Sequence, residues 1–307
     1  MTAQKIIIDT DPGIDDAMAI FYACLHPQID LVGMTSVFGN VTLEIATRNA
    51  LVLAELADQE IPVAKGAQKP LIQEPNGVSA HVHGAEGFGR MSARTSKGQA
   101  VAESAAAFIC RMIHENPGEI ILCPIGPLTN IALALQLDPS IATKVKSVVI
   151  MGGGIKKGNV TDFAEANIWN DPHAADQVFA ADWDLVMVGL DVTHQVSCDR
   201  ADFARTTKAA PVLGGFLAEA TEFYLDFYEG HYGKPECHMH DPTAVIAITD
   251  PQLFRIENHA LEVIVEGERA GQTTLTAKSG RRPVRVCMGV DGAAVKELFL
   301  STIESGF

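Results

Sequence analysis

The chain predicts an α/β protein, an open and mostly parallel sheet with helices on both faces. Three observations carry that expectation. Short apolar runs alternate with stretches of helical periodicity through the first two thirds of the chain. The runs are continuously apolar rather than alternating, as strands covered on both faces are. Polar residues and glycines follow one run after another, as they do along the carboxyl edge of a parallel sheet.

In order, residues 5–8 (Lys5-Ile6-Ile7-Ile8) read as a buried strand and 14–26 as a helix. Residues 30–37 read as a second strand, 42–57 as a helix and 61–64 as a short strand. The segment 66–97 is rich in Gly, Ser, His and charge without a clear period, which suits a loop or flap beside a site. Then come a helix over 98–115, a strand over 119–125, a helix over 127–137, a strand over 146–151, a helix over 172–181 and a strand over 184–190. Residues 199–229 read as helical, and 241–249 as a helix behind an aspartate. Residues 261–290 read as a pair of strands turning at Glu266-Gly267, with a closing helix over 291–304. No repeat, low-complexity tract or composition break marks a boundary, so 1–307 reads as one domain.

Composition bounds the function. The net charge is −15, from 23 basic and 38 acidic residues, which argues against nucleic acid as a partner. No apolar run approaches the roughly 18 residues that a membrane helix needs. The six cysteines (Cys24, Cys110, Cys123, Cys198, Cys237 and Cys287) are scattered singly without a CxxC pair. With no signal-like N-terminus, they read as reduced thiols of a cytoplasmic protein.

The chemistry gathers in three clusters. Asp9, Asp11, Asp15 and Asp16 fall within eight residues straight after the first strand. So many carboxylates raise one another's pKa, and a divalent cation removes the conflict. Oxygen-only ligands point to a hard ion, Ca²⁺ or Mg²⁺. The competing reading is a solvated turn before a capped helix. In the second cluster, Glu165 and Asn167 share a side if the segment is extended, and an acceptor beside an amide suits a sugar; Asp171-Pro172 is explained by a helix start alone. In the third, His238-Met239-His240-Asp241-Pro242, Asp241 is either a ligand or a plain N-cap, and His240 is a candidate proton donor. Zinc is disfavoured because no second ligand pair stands at zinc spacing. Asp11, Asn40, the carbonyl near Ile125 and the backbone around Met151 all follow apolar strands, so they are expected at one crevice. A helix-loop-helix calcium loop is excluded, since Ile20 stands where its bidentate Glu belongs. There is no Walker A sequence.

The block Ile8-Asp9-Thr10-Asp11-Pro12-Gly13-Ile14-Asp15-Asp16-Ala17 resembles the N-terminal signature of the nucleoside hydrolases. Matching blocks follow along the whole chain: Val37-Phe38-Gly39-Asn40, His83-Gly84, Gly126-Pro127-Leu128-Thr129-Asn130, Met151-Gly152-Gly153, Glu165-Ala166-Asn167 and His240-Asp241-Pro242. The resemblance implies the Rossmann-like fold of that family and hydrolysis of the N-glycosidic bond of ribonucleosides. It implies Ca²⁺ held by Asp11, Asp16, Asp241 and the carbonyl of Ile125, with Asp11 also the general base. By the same carry-over Asp15, Asn40, Met151, Asn159, Glu165 and Asn167 grip the ribose, and His240 protonates the leaving base. Trp169 and Trp183 lie in the wrong blocks for the tryptophan sandwich of the purine-specific branch. His240 and His83 look more like the branch acting on inosine, uridine and often cytidine. Tyr228 and Tyr232 line the base pocket, relay protons or simply pack a helix. The family implies a homo-oligomer, a dimer or tetramer. Two rivals stand beside this: an aspartyl-phosphate phosphatase with Asp9 as nucleophile, and a non-catalytic nucleoside-binding protein.

Overall fold

A computed structural model describes residues 3–278 and 280–307. The first half runs β1 (Gln4–Thr10), α1 (Ile14–Leu25), β2 (Ile29–Ser36), α2 (Leu43–Leu56), β3 (Val63–Lys65), α3 (Ala80–His83), β4 (Val101–Ser104), α4 (Ala105–Glu115), β5 (Ile121–Pro124), α5 (Thr129–Leu137) and β6 (Ser147–Met151). It continues with α6 (Ala166–Asn170), α7 (Pro172–Ala180), β7 (Leu185–Val188), α8 (Leu190–Thr193), β8 (Ser197–Asp199), α9 (Arg200–Ala209), α10 (Leu213–Tyr232) and β9 (Glu236–His238). The last elements are α11 (His240–Thr249), β10 (Phe254–His259), β11 (Leu261–Val263), β12 (Thr273–Leu275), β13 (Val284–Val290) and α12 (Gly292–Glu304).

Nine strands form one open sheet in the order β10-β13-β7-β6-β5-β1-β2-β3-β4. Every neighbouring pair is parallel except β10 with β13 at one edge. Side chains alternate across β1, so Ile6 and Ile8 join a core with Phe21, Leu217, Val245 and Phe299. Ile7 points the other way, into a core with Phe108, Ile131 and Phe179. Helices therefore cover both faces, as the continuous apolar strands require. The chain leaves β1 for β2 on one side and returns to β5 on the other. That reversal opens a crevice at the carboxyl ends of β1 and β5, where ligands bind in such sheets.

Three expectations change. The helix expected over 98–115 begins at Ala105, where Ser104 caps it by accepting from the Ala107 amide. The residues before the cap pair with β3 as the sheet's edge strand instead. The helical stretch 199–229 is two helices, broken at Ala210-Pro211; proline bars the residue before it from helical dihedrals, and Ala210 sits at φ −125°, ψ 82°. The strand pair expected over 261–290 is β11 with β12, turning through Gly267, while β13 leaves it for the main sheet. Among the described residues, no helix is long and apolar enough to cross a membrane, and all six cysteines are free thiols.

Candidate active site

The crevice opens into a cavity of about 530 Å³. Asp15, Asn40, His83, Ile125, Met151, Asn159, Glu165, Asn167, Tyr228, Tyr232, His240 and Asp241 line it. Asp11 and Asp16 are buried behind Asn40, whose backbone N–H donates to Asp11 Oδ2 at 2.6 Å and whose amide Nδ2 donates to Asp16 Oδ2 at 3.2 Å. The sequence therefore brings its three clusters to one place, from the ends of β1, β2, β5 and β6 and from the starts of α6 and α11.

Local chemistry explains each placement. Asp16 sits in the first turn of α1, where Thr10 Oγ1 and the Gly13 N–H donate to it. Two glycines let neighbouring loops close on Asp11. A Cβ on Gly39 would come within 2.1 Å of Asp11 Oδ2, and one on Gly126 within 2.6 Å of Asp11 Oδ1. Glu165 is the N-cap of α6 and accepts from the amides of Gly153, Asn167 and Ile168. Glu165 and Asn167 thus meet through a cap rather than along an extended strand. Asn167 Nδ2 donates to the carbonyls of Ile125 at 2.9 Å and Met151 at 3.2 Å, tying the β5 and β6 ends together. Asp241 is not a plain N-cap: α11 starts one residue earlier, behind Met239, with no side-chain cap.

The floor is strongly acidic. Asp15, Asp16 and Asp241 each offer a carboxylate oxygen within 4.8 Å of the others. Asp11 stands beside this trio, close enough for the charges of Asp16 and Asp15 to act on it. Asp15, which the resemblance assigns to ribose, therefore shares the ligand-spaced trio. Burial, then repulsion from Asp16, holds the Asp11 carboxyl well above the usual carboxylate range. Burial and the same neighbour push Asp15 up to about 8. Burial, then Asp15, Asp16, Asp11 and Glu165, raises Asp241. Burial lifts Glu165 to about 7, against three amide hydrogen bonds that lower it. Asp11 Oδ1 and Asp15 Oδ1 are buried and, among the described residues, have no hydrogen-bond partner. Buried oxygens without donors, in a group of carboxylates that repel one another, fit a hard divalent cation. Among the described residues this is the one group of three metal-competent side chains, so the Cys237–His238 region holds no such set.

The other end of the cavity is aromatic. Tyr224, Tyr228 and Tyr232 succeed one another on α10 at helical spacing. Tyr228 Oη lies 3.0 Å from His240 Nε2, and Thr193 Oγ1 lies 2.9 Å from His240 Nδ1. Burial, then His194, His238 and His83, holds the His240 imidazole far below its ordinary basicity. His83 accepts from the Ile14 N–H at the start of α1, and burial lowers it to about 3. Sequence reasoning missed Tyr224 and Thr193, and it set Trp169 aside. Tyr224 Oη donates to Asp15 Oδ2 at 3.5 Å, His194 packs its ring 5.5 Å from His240, and Trp169 lines the cavity. The spacing of Tyr224 four before Tyr228 was a usable signal; nothing in the sequence links Thr193 to His240. Trp183 is buried and donates to the Val178 carbonyl, away from the cavity. Asp9 does not line the cavity either. Thr35 and Asn130 donate to it and it is 2% exposed, so it does not stand where a phosphorylated nucleophile must.

Known proteins resemble the whole chain. The model of the inosine-uridine preferring nucleoside hydrolase family matches residues 6–297. A probable uridine nucleosidase of Arabidopsis thaliana is 38% identical over 313 residues, covering 98% of this chain and 97% of its own. The solved structure of a plant nucleoside hydrolase superposes with a TM-score of 0.95 at 36% identity, covering 98% of both chains. That of a purine-preferring ribonucleoside hydrolase from Gardnerella vaginalis gives 0.93 at 35% identity, again covering 98% of both.

Proposed function

The chain belongs to the inosine-uridine preferring nucleoside hydrolase family, and from that premise we propose a calcium-dependent hydrolase that splits purine and pyrimidine ribonucleosides into ribose and free base. It is an N-glycosyl hydrolase acting on ribonucleosides; the ion and the mechanism are our reading. The observation that carries that reading is the set of buried, proton-hungry carboxylates in the cavity that Ile125 also lines at the sheet edge.

Asp11, Asp16, Asp241 and the carbonyl of Ile125 would hold Ca²⁺, with Asp15 at its border. Such an ion would supply a lowered pKa for a bound water and a hard anchor for hydroxyl oxygens of the substrate. Asp11 takes a proton from the attacking water through its unpartnered Oδ1. Asp15, Asn40, Met151, Asn159, Glu165 and Asn167 hold the ribose. Cleavage passes through an oxocarbenium-like state, and the acidic floor stabilises its positive charge as it develops. His240 serves the leaving base. Its lowered basicity makes it a neutral N–H donor that stabilises negative charge on the base, rather than an imidazolium. His83, Tyr228 and Tyr232 line the space where the base sits.

Replacing Asp11 by Ala tests the mechanism. Base release from inosine and uridine should fall by about 10³-fold or more. Persistence near the wild-type rate would remove Asp11 from its role.

A further inference from the structure

One buried hydroxyl decides which nitrogen of His240 carries a proton. Each hydroxyl has a single hydrogen to donate. Thr193 is fully buried, and among the described residues its hydroxyl has one partner, His240 Nδ1 at 2.9 Å. A buried O–H without an acceptor is costly, so the threonine hydrogen goes to Nδ1, which is then bare. The ring's own hydrogen sits on Nε2, 3.0 Å from Tyr228 Oη, which accepts it.

We propose that Thr193 is a positioning residue for base departure: its hydroxyl donates to His240 Nδ1, fixing the Nε2–H tautomer so that an N–H, not a lone pair, faces the base end of the cavity. The inference rests on the hydrolase reading above and adds a residue to it. The scaffold suits the task. Thr193 closes α8, whose first amide, Leu190 N–H, donates to the Gly153 carbonyl at 2.9 Å. Asp191, in the same short helix, accepts from the amides of Ile155 and Lys156. Thr193 is thereby anchored to the loop after β6, while His240 arrives 47 residues later on another element. A group held from a rigid neighbour keeps its geometry when the base end of the cavity adapts.

The proton accounting closes. Hydroxide from water bonds to C1′ and its proton goes to Asp11. The glycosidic electron pair leaves with the base, which replaces Tyr228 Oη as acceptor of the His240 Nε2–H and so shares its negative charge with it. The base anion takes its last proton from solvent after release, so His240 ends with the hydrogen it began with. The opposite tautomer would aim a lone pair at an electron-rich leaving group.

Thr193→Val and Thr193→Ser, made in the full chain and assayed with calcium present, separate positioning from packing. With inosine, the valine variant should lose about 10- to 100-fold in kcat while KM moves less than about threefold. With p-nitrophenyl riboside, whose leaving group needs no donor, it should stay within about twofold of wild type. Serine should restore inosine turnover to within about threefold of wild type. In ¹⁵N spectra of histidine-labelled protein, wild type should show a bare Nδ1 on His240, and the valine variant should lose that preference. Equal losses on both substrates, no loss on inosine, or a wild-type spectrum with the proton on Nδ1 would overturn the proposal. The wild-type spectrum also decides the matter if the valine variant fails to fold. A wild-type protein that releases no base from any nucleoside would refute the hydrolase reading instead, and the tautomer would still be read independently.

Discussion

At the floor of the cavity, Asp11, Asn40, Ile125 and Met151 stand where strands of one parallel sheet end, each held by backbone amides or by side chains that bridge strand ends. At the base end, Tyr224, Tyr228 and Tyr232 come from a single long helix; Tyr228 and Tyr232 meet His238 ring to ring, and His238 and His194 in turn meet the ring of His240. The floor is buried except at Asn40, which is half-buried. The base end grades outward, from Tyr228 at 4% exposed to Tyr232 at 47%. Backbone-anchored carboxylates at a sheet edge have one arrangement, which suits bond-breaking chemistry. Rings packed by contact area tolerate substitution, which suits adjustable recognition of the base.

The sharpest break of this comparison lies at His240, where the two regions meet. His240→Ala should lower inosine hydrolysis by about 10²–10³-fold. It should cost p-nitrophenyl riboside much less, since nitrophenolate departs unaided. Equal losses would move His240 from leaving-group chemistry to the structure of the floor. A smaller effect sharpens the floor. Without an ion, Asp15 titrates at about 8 and Glu165 at about 7. Their folded values lie above the ordinary 3.8 and 4.5, so the metal-free protein should lose thermal stability progressively as pH rises from about 4 to about 8, and no further above that. An ion must expel those protons. Calcium affinity should climb by up to about tenfold per pH unit per proton released, levelling above about pH 8. Calorimetry in two buffers of different ionisation enthalpy counts the protons, and pH-independent binding without release would contradict the raised acids. The smallest effect belongs to the outer ring. Tyr232→Ala should change the inosine-to-uridine preference by less than about tenfold and leave p-nitrophenyl riboside turnover intact. A loss on all three substrates would give Tyr232 a part in the chemistry.

The same contrast governs how far the sequence could be read. The floor was legible because its chemistry is local to strand ends. Asp11, Asp15 and Asp16 follow an apolar run at once, and in a parallel sheet such ends share an edge. Asp241 was ambiguous in sequence, since a helix start explains an aspartate as well as a ligand does; the fold sets it beside Asp15 and Asp16. The base end was half legible. Tyr228 and Tyr232 could be named, but which face of α10 meets the cavity depends on packing that no local pattern records. Thr193 was invisible, since its partner lies 47 residues away on another element. Segment 98–115 shows the same limit in the fold, because β3 decides that Val101–Ser104 is a strand.

The most direct test is the release of free base from inosine and uridine by protein stripped with a calcium chelator, then titrated with Ca²⁺. The account predicts that stripping abolishes turnover on both substrates and that calcium restores it at one ion per chain. Full turnover after complete removal of divalent ions would contradict a cation-centred floor.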